Sequence, residues 1–300
     1  MNQVDKETIH ENLNKLLLLK SLLPEDWINK NLEKNKPSFL ILLTKHKEPR
    51  LQHLENNLNY IGLEDINQHK EHILEYLKEG VAQVYGIISE IDVWTQLKKH
   101  GIFCTYQPKI KCFDKKPDFL IKLDQDDIIV EVATLNEDKR VKDKNTAMVE
   151  EFKKGNKVSG HFVVNGVTPN SDCYRMYDLL KGKTDQLKKE SKNIIIINTL
   201  SADVFSLKNA IKGYYQKEED GQQTGHIDGN RREKGFFEQK DINRRFNLII
   251  GYSNLINQCS LYFHDNPYTP FTQKEKEIIR QIFSETKNVM NENNQVEVIQ

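Results

Sequence analysis

The sequence is poor in cysteine, has no excess of either charge and contains no long apolar run. Of its 300 residues only Cys104, Cys112, Cys173 and Cys259 are cysteines, and no two form a C-x-x-C pair. That spacing argues against a structural zinc site or a disulfide framework and suits a reducing compartment, so a cytoplasmic protein is expected. Lysine plus arginine and aspartate plus glutamate both number 44, giving a formal net charge of zero. A global basic coat for nucleic acid or an acidic membrane is therefore excluded, while local basic surfaces are not. The longest apolar runs, such as residues 16–19, 39–43 and 194–197, are no more than five residues long. A membrane span needs about 20, so no membrane partner is expected. The first residues, MNQVDKETIHENLNK, lack the basic segment followed by an apolar stretch that marks a secretory leader. There is no Walker-type loop, no G-x-G-x-x-G opening a helix and no G-x-S-x-G elbow, which leaves kinase, dehydrogenase and serine-hydrolase chemistry without support.

Hydrophobic residues make up 37% of the chain and the mean hydropathy is −0.68, polar but compatible with a globular core. At roughly 100–200 residues per domain, the length suits one large domain or two smaller ones. Residues 1–68 read as a helical region of several short helices, interrupted at Pro24, Pro37 and Pro49, with Asp26 as a capping candidate. Residues 69–300 read as an α/β domain. It opens with a long amphipathic helix over 69–100, where Gly101 stands at the expected C-terminal cap. A strand follows over 102–108, then a hairpin of 118–123 with 127–134. Residues 141–157 are charged loop and helix, and 161–166 form a short strand. A helix over 172–190, a buried strand over 193–200 and a helix over 204–213 come next. A polar insertion covers about 215–245. Strands over 246–253 and 260–265, a helix over 272–289 and a frayed tail complete the expectation.

Three polar features stand where apolar residues are expected. On the helix over 69–100, Ile87, Glu90, Ile91, Val93, Trp94 and Leu97 share one arc. A carboxylate there must be paired, hydrogen-bonded or metal-bound, or lie at the boundary and reach water. In the hairpin, Asp118 and Glu131 are symmetric about a turn at 124–125 and fall opposite each other. Two facing carboxylates repel unless a cation lies between them, and a divalent ion is the natural partner. The alternative is a solvated pair, against which the apolar surroundings of Glu131 in IIVEVAT argue. On the helix over 172–190, Met176, Leu179, Leu180 and Leu187 make an apolar arc with Lys183 inside it and Gln186 at its edge. Lys183 either meets an anion or packs its stem and sends its ammonium to water.

The order of these features resembles the PD-(D/E)XK nuclease superfamily: a helix with Glu90, then Pro117-Asp118-Phe119, then I-I-V-E-V-A at 128–133, then a helix and a buried strand. The resemblance covers about residues 75–200, or as far as about 270, and implies a restriction-endonuclease-like mixed sheet flanked by helices. It implies that Asp118 and Glu131, with the Val132 carbonyl, hold Mg²⁺ or Mn²⁺, and that Glu90 binds metal through water or completes a second site. It implies phosphodiester hydrolysis, DNA as the expected substrate ahead of RNA, and a homodimer as one way to cut both strands. One position departs from the family. The lysine usually found two residues after the second acid is replaced by Ala133. Some members carry that lysine on the following helix, together with a glutamine, so Lys183 and Gln186 are the candidates here. If no lysine serves the site, the expectation becomes a non-catalytic module that binds nucleic acid or protein. If the match is accidental, the chain is a structural or interaction protein.

Among weaker candidates, His264 in YFHDNPYTP suits a turn or a phosphate contact, and His161 follows Gly160 without a visible partner. The basic stretch KHKEPR at 45–50 and the pairs Arg231-Arg232 and Arg244-Arg245 suit either a solvated surface or a nucleic-acid backbone.

Overall fold

The computed structural model describes residues 3–33, 39–43, 49–78, 81–110, 116–135, 169–199, 204–212, 214–215, 232–233, 235–238, 241–253, 258–284, 288–290 and 296–297. The expected elements at 141–157 and 161–166, His161, Arg231, residues 45–48 and most of the polar insertion lie outside them. The protein is mixed α/β, and its contacts divide it into two compact units: residues 1–134 with 273–285, and residues 135–272 with 286–300. Residues 1–68, expected as a region apart, share the first unit with 69–134. Among the described residues, no helix is long and apolar enough to cross a membrane.

The first unit begins with short helices: α1 Gln3–Leu13, α2 Leu17–Leu22, α3 Glu25–Glu33, α4 Phe39–Leu43, α5 Pro49–Ile61 and α6 Leu63–Gln68. Pro24 directly precedes α3 and Pro49 is the first residue of α5, positions where the missing N–H costs nothing. Asp26 is not the cap of α3; it sits in the first turn, where its charge favours the helix dipole. The α2 helix has no side-chain cap of its own at Leu16. Glu55 of α5 serves instead, accepting the N–H groups of Leu18 and Leu19 at 2.8 and 2.9 Å while itself buried.

The single helix expected over 69–100 is two helices, α7 Lys70–Leu77 and α8 Val81–Lys99. The sequence carries Gly80 between them, a residue of high backbone entropy that weakens a helix interior. Helix α8 ends as expected at Gly101, whose φ of 66° supplies the left-handed turn. Its N–H bonds to the Lys98 carbonyl at 3.0 Å and that of Ile102 to the Leu97 carbonyl at 2.9 Å, the paired bonds of a Schellman cap. The expected single apolar stripe is not what α8 presents. Val84, Ile87, Ile88, Ile91, Val93, Trp94 and Leu97 are buried, and so are Ser89, Glu90, Asp92 and Thr95. The helix is enclosed because α5, α7 and the third strand of the meander below all pack against it.

That meander is β1 Cys104–Tyr106, β2 Phe119–Leu123 and β3 Asp126–Thr134, antiparallel throughout. The β2–β3 turn is Asp124-Gln125, with Asp124 left-handed at φ 55°, a conformation aspartate tolerates better than most residues. After residues 135–272 of the second unit the chain returns as α11 Gln273–Ser284, shorter than the helix expected over 272–289. Lys274 pairs with Asp124 at 2.8 Å.

Between α5 and α8 lies a polar knot. The Nε2 of His53 lies 2.9 Å from Oδ1 of buried Asp92, and Asn57 donates to the same oxygen at 2.6 Å. The bond to Asp92 favours the imidazolium and lifts the His53 pKa above its usual 6.5, against partial burial and the charge of Lys99. A raised folded pKa means this tie stabilises the protein fully below pH 6.5 and is lost as pH rises through the raised value. Denaturant midpoints of the wild-type protein should therefore fall over that rise, and those of His53→Gln should fall less. An identical fall in the variant would remove His53 as the cause.

The second unit holds α9 Pro169–Lys183, β4 Lys192–Asn198, α10 Val204–Lys212, the small hairpin β5 Tyr214–Tyr215 and β6 Arg232–Glu233, then β7 Leu248–Ser253 and β8 Gln258–Phe263. Two further short strands, β9 Asn288–Met290 and β10 Val296–Glu297, occupy a tail expected to fray. Strands β4 and β7 are parallel, β7 and β8 antiparallel, β8 and β9 parallel, β9 and β10 antiparallel. A parallel pair needs a crossover, and α10 lies within the segment joining β4 to β7. Ile194–Ile197 and Leu248–Ile250 are almost wholly inaccessible, as strands covered on both faces require.

Gly251 of β7 lets α10 approach closely. A Cβ there would lie 2.2 Å from the Leu207 Cδ2 atom, in a fully buried site. Gly251→Ala is expected to destabilise the protein by about 1–3 kcal/mol, the usual range for overpacking, read from a urea midpoint. Adding Leu207→Ala should recover part of that loss. Burial pushes the Cys104 thiol up to about 11, so it stays protonated.

Candidate functional site

The meander brings one expected pair together. Its register matches Phe119 with Val130 and Leu120 with Ile129, and one further step sets Asp118 opposite Glu131. Glu131 is buried, 3% exposed, as its apolar neighbours imply, whereas Asp118 is half-buried. Backbone and side chain both hold Asp118. Its Oδ2 accepts the Val132 N–H at 2.7 Å, and its Oδ1 accepts the Gln107 side-chain amide at 3.2 Å. The Gln107 N–H also donates to the Asp118 carbonyl at 2.8 Å.

Gln107 is a residue that the sequence reading did not single out. It adopts φ 50°, a left-handed backbone that a non-glycine residue holds only when its surroundings require it. Its backbone N–H and its side-chain amide both bond to Asp118. Pro108 follows it in the sequence and favours extended backbone at the preceding position, so the local sequence argued for a plain strand end.

Glu90 is engaged elsewhere. Its Oε2 accepts the Tyr106 hydroxyl at 2.5 Å and lies 3.6 Å from Nε2 of His72. Burial, then the neighbouring Glu90 carboxylate, holds the Tyr106 phenol well above its usual range, so it remains a donor. The Tyr106 ring stacks on Trp94 with centroids 4.8 Å apart and meets Phe119 at 5.1 Å and His69 at 4.9 Å. These contacts lie on the face of the meander that meets α8, where the hydroxyls of Ser89 and Thr134 are 3.1 Å apart. Strand alternation sends Glu131 and Ala133 to the other face. Among the described residues, no group of three or more His, Cys, Asp or Glu is arranged to hold a metal ion.

Lys183 and Gln186 belong to the second unit. The expected helix over 172–190 stops at Lys183, so Gln186 sits on the 3₁₀ turn Thr184–Gln186 and Leu187 is already extended. Lys183 is half-buried at the helix C-terminus, a favourable place for a cation. The side-chain oxygen of Gln186 is buried and, among the described residues, accepts no hydrogen bond. An orphaned buried acceptor is destabilising, which makes this oxygen a candidate ligand atom.

His264 serves the turn that contains it. Its Nδ1 accepts the Asn266 N–H at 3.0 Å, its ring meets Phe237 at 4.5 Å, and burial lowers its pKa. Set against family models, curated proteins and solved structures, the chain gives no match.

Proposed function

We propose that the chain is a divalent-metal-dependent nuclease with a restriction-endonuclease-like core, hydrolysing phosphodiester bonds, with DNA the expected substrate ahead of RNA. The observation that carries the reading is the opposed pair Asp118 and Glu131, one half-buried and anchored, the other buried on a strand rich in apolar residues. The element order α8, β1 to β3, α9, β4 supports it further.

The donor set suits a hard cation, since carboxylate oxygens are what Mg²⁺ and Mn²⁺ prefer. Asp118, Glu131 and the Val132 carbonyl would hold the ion. When bound, it lowers the pKa of a water molecule and polarises the scissile phosphate. Gln107 and the Val132 N–H fix the orientation of the Asp118 carboxylate, limiting how far the pair must reorganise. Tyr106 holds Glu90 in place on the α8 face. The family resemblance assigns Lys183 to the developing negative charge and Gln186 to the same reaction.

One observation favours a second reading. Ala133 occupies the position of the usual lysine and is buried, so β3 offers no cation beside Glu131. A non-catalytic module that binds nucleic acid or protein would fit that composition. The deciding experiment is a cleavage assay on single- and double-stranded DNA and RNA with Mg²⁺ or Mn²⁺. Metal-dependent cutting supports the nuclease, and no cutting by folded protein across the panel overturns it in favour of the binding module.

A further inference from the structure

In the second unit, the loops around the start of β4 and the end of β8 gather positive charge on one tyrosine. The Lys189 ammonium lies over the Tyr268 ring at 4.4 Å, and the Arg244 guanidinium lies over the same ring at 4.6 Å. Arg244 is held there by two bonds to Asn266, from Nε to the carbonyl at 2.9 Å and from a terminal nitrogen to Oδ1 at 3.2 Å. The Tyr268 N–H returns a bond to the Arg244 carbonyl at 2.9 Å, which closes the loop on itself. Arg245, next in the chain, donates to the carbonyls of Thr184 and Leu187, at 3.5 and 3.4 Å.

Among the described residues, none of these three cations is paired with a carboxylate. Of the acids near them in sequence, which include Asp185 and Asp241, Glu190 and Asp265 are exposed. The ring attracts each cation, but two cations on one ring repel one another, and among the residues with described side chains no carboxylate neutralises either. The Arg244 fork is pre-set by Asn266 and retains donors for an incoming anion. A single carboxylate would satisfy one cation, whereas a polyanion with regularly repeated charges satisfies all three.

We propose that Lys189 and Arg244, organised by Tyr268, together with Arg245 next in the chain, form a contact surface for the phosphodiester backbone of nucleic acid. The assignment rests on the nucleic-acid reading above and extends it to a surface that binds without catalysing. Phosphate contacts of this kind release counterions, so each one adds about 0.9 to the slope of log affinity against log salt on duplex DNA.

The test is fluorescence anisotropy of a labelled DNA duplex titrated with the full chain in EDTA, over a series of salt concentrations. Lys189→Glu and Arg244→Ala are each expected to lower the slope by about 0.9 or more. Lys20→Ala, the loss of one exposed charge in the first unit, should leave it unchanged. Arg244→Ala also removes the bonds to Asn266, so melting temperatures are measured alongside. Lys189→Glu, on an exposed side chain that makes no hydrogen bond among the described residues, keeps the test decisive if Arg244→Ala melts early. An unchanged slope in Lys189→Glu overturns the proposal, as does a wild-type protein that binds anionic vesicles or an acidic peptide but not DNA. Metal-dependent cleavage, assayed separately, distinguishes the two readings. Cleavage with unchanged slopes would sink the contact surface alone, whereas lowered slopes without cleavage would sink the nuclease and leave the surface standing.

Discussion

Asp118→Asn and Glu131→Gln should each reduce metal-dependent cleavage by more than about 100-fold, because substitutions in the shell behind a metal ligand already cost about 10–100-fold. Both changes preserve shape and remove one negative charge. If the two carboxylates act on one ion, the double variant should be little worse than either single one, since members of a unit are not additive. Independent roles would instead multiply the two losses. Gln107→Ala belongs to the same series. It removes the amide that holds Asp118 Oδ1, and its expected loss is about 10–100-fold, with part of it regained at higher Mg²⁺. Gln107→Asn keeps an amide and a residue tolerant of left-handed backbone, so it should fall between the two. Lys183→Ala separates the resemblance from the pair. Cleavage lost in the acid variants and kept in Lys183→Ala would leave the enzyme in place and remove the lysine from it. Cleavage that survives both acid variants would place the activity elsewhere.

The largest expected effect on stability comes from Glu55→Ala. The wild-type carboxylate accepts two backbone N–H groups at the start of α2, a helix whose own N-terminal residue contributes no cap. Hydrogen bonds to a charged acceptor contribute about 1.5–3 kcal/mol each, and the bond from Leu18 is only partly buried, so a loss of about 2–4 kcal/mol is expected. Guanidinium unfolding would read it directly. Glu55→Gln retains one good acceptor and should cost about half as much. A loss below about 0.5 kcal/mol in Glu55→Ala would mean that water replaces the carboxylate at this helix end.

The hairpin could be read from the sequence because a strand has a period of two and its register follows from the turn. Once Asp124-Gln125 is the loop, Asp118 must oppose Glu131. Gly101 was equally readable, since few residues accept its backbone angle. Helix α8 was misread in part because its enclosure depends on α5, β3 and α11, which approach it from distant parts of the chain. The same reason hid Glu55, whose partners lie 36 and 37 residues away, and Asp92, whose histidine lies 39 residues away. The end of α9 at Lys183 was missed because Leu187 is buried in register with the helical arc while its backbone is already extended. Gln107 left no trace, because Pro108 points its backbone the other way.

The division of the chain has a consequence for its birth on the ribosome. Helix α11 belongs to the first unit, yet it is made only after residues 135–272 of the second unit. Its residues Ile279 and Ile282 are buried, and it packs on α8. Residues 1–134 must therefore wait for about 150 further residues before the last piece of their own unit arrives. At ordinary elongation rates of about 5–20 residues per second, that is roughly 8–30 s. Throughout that interval the side of α8 that α11 will cover stays open to water, to chaperones or to another nascent copy.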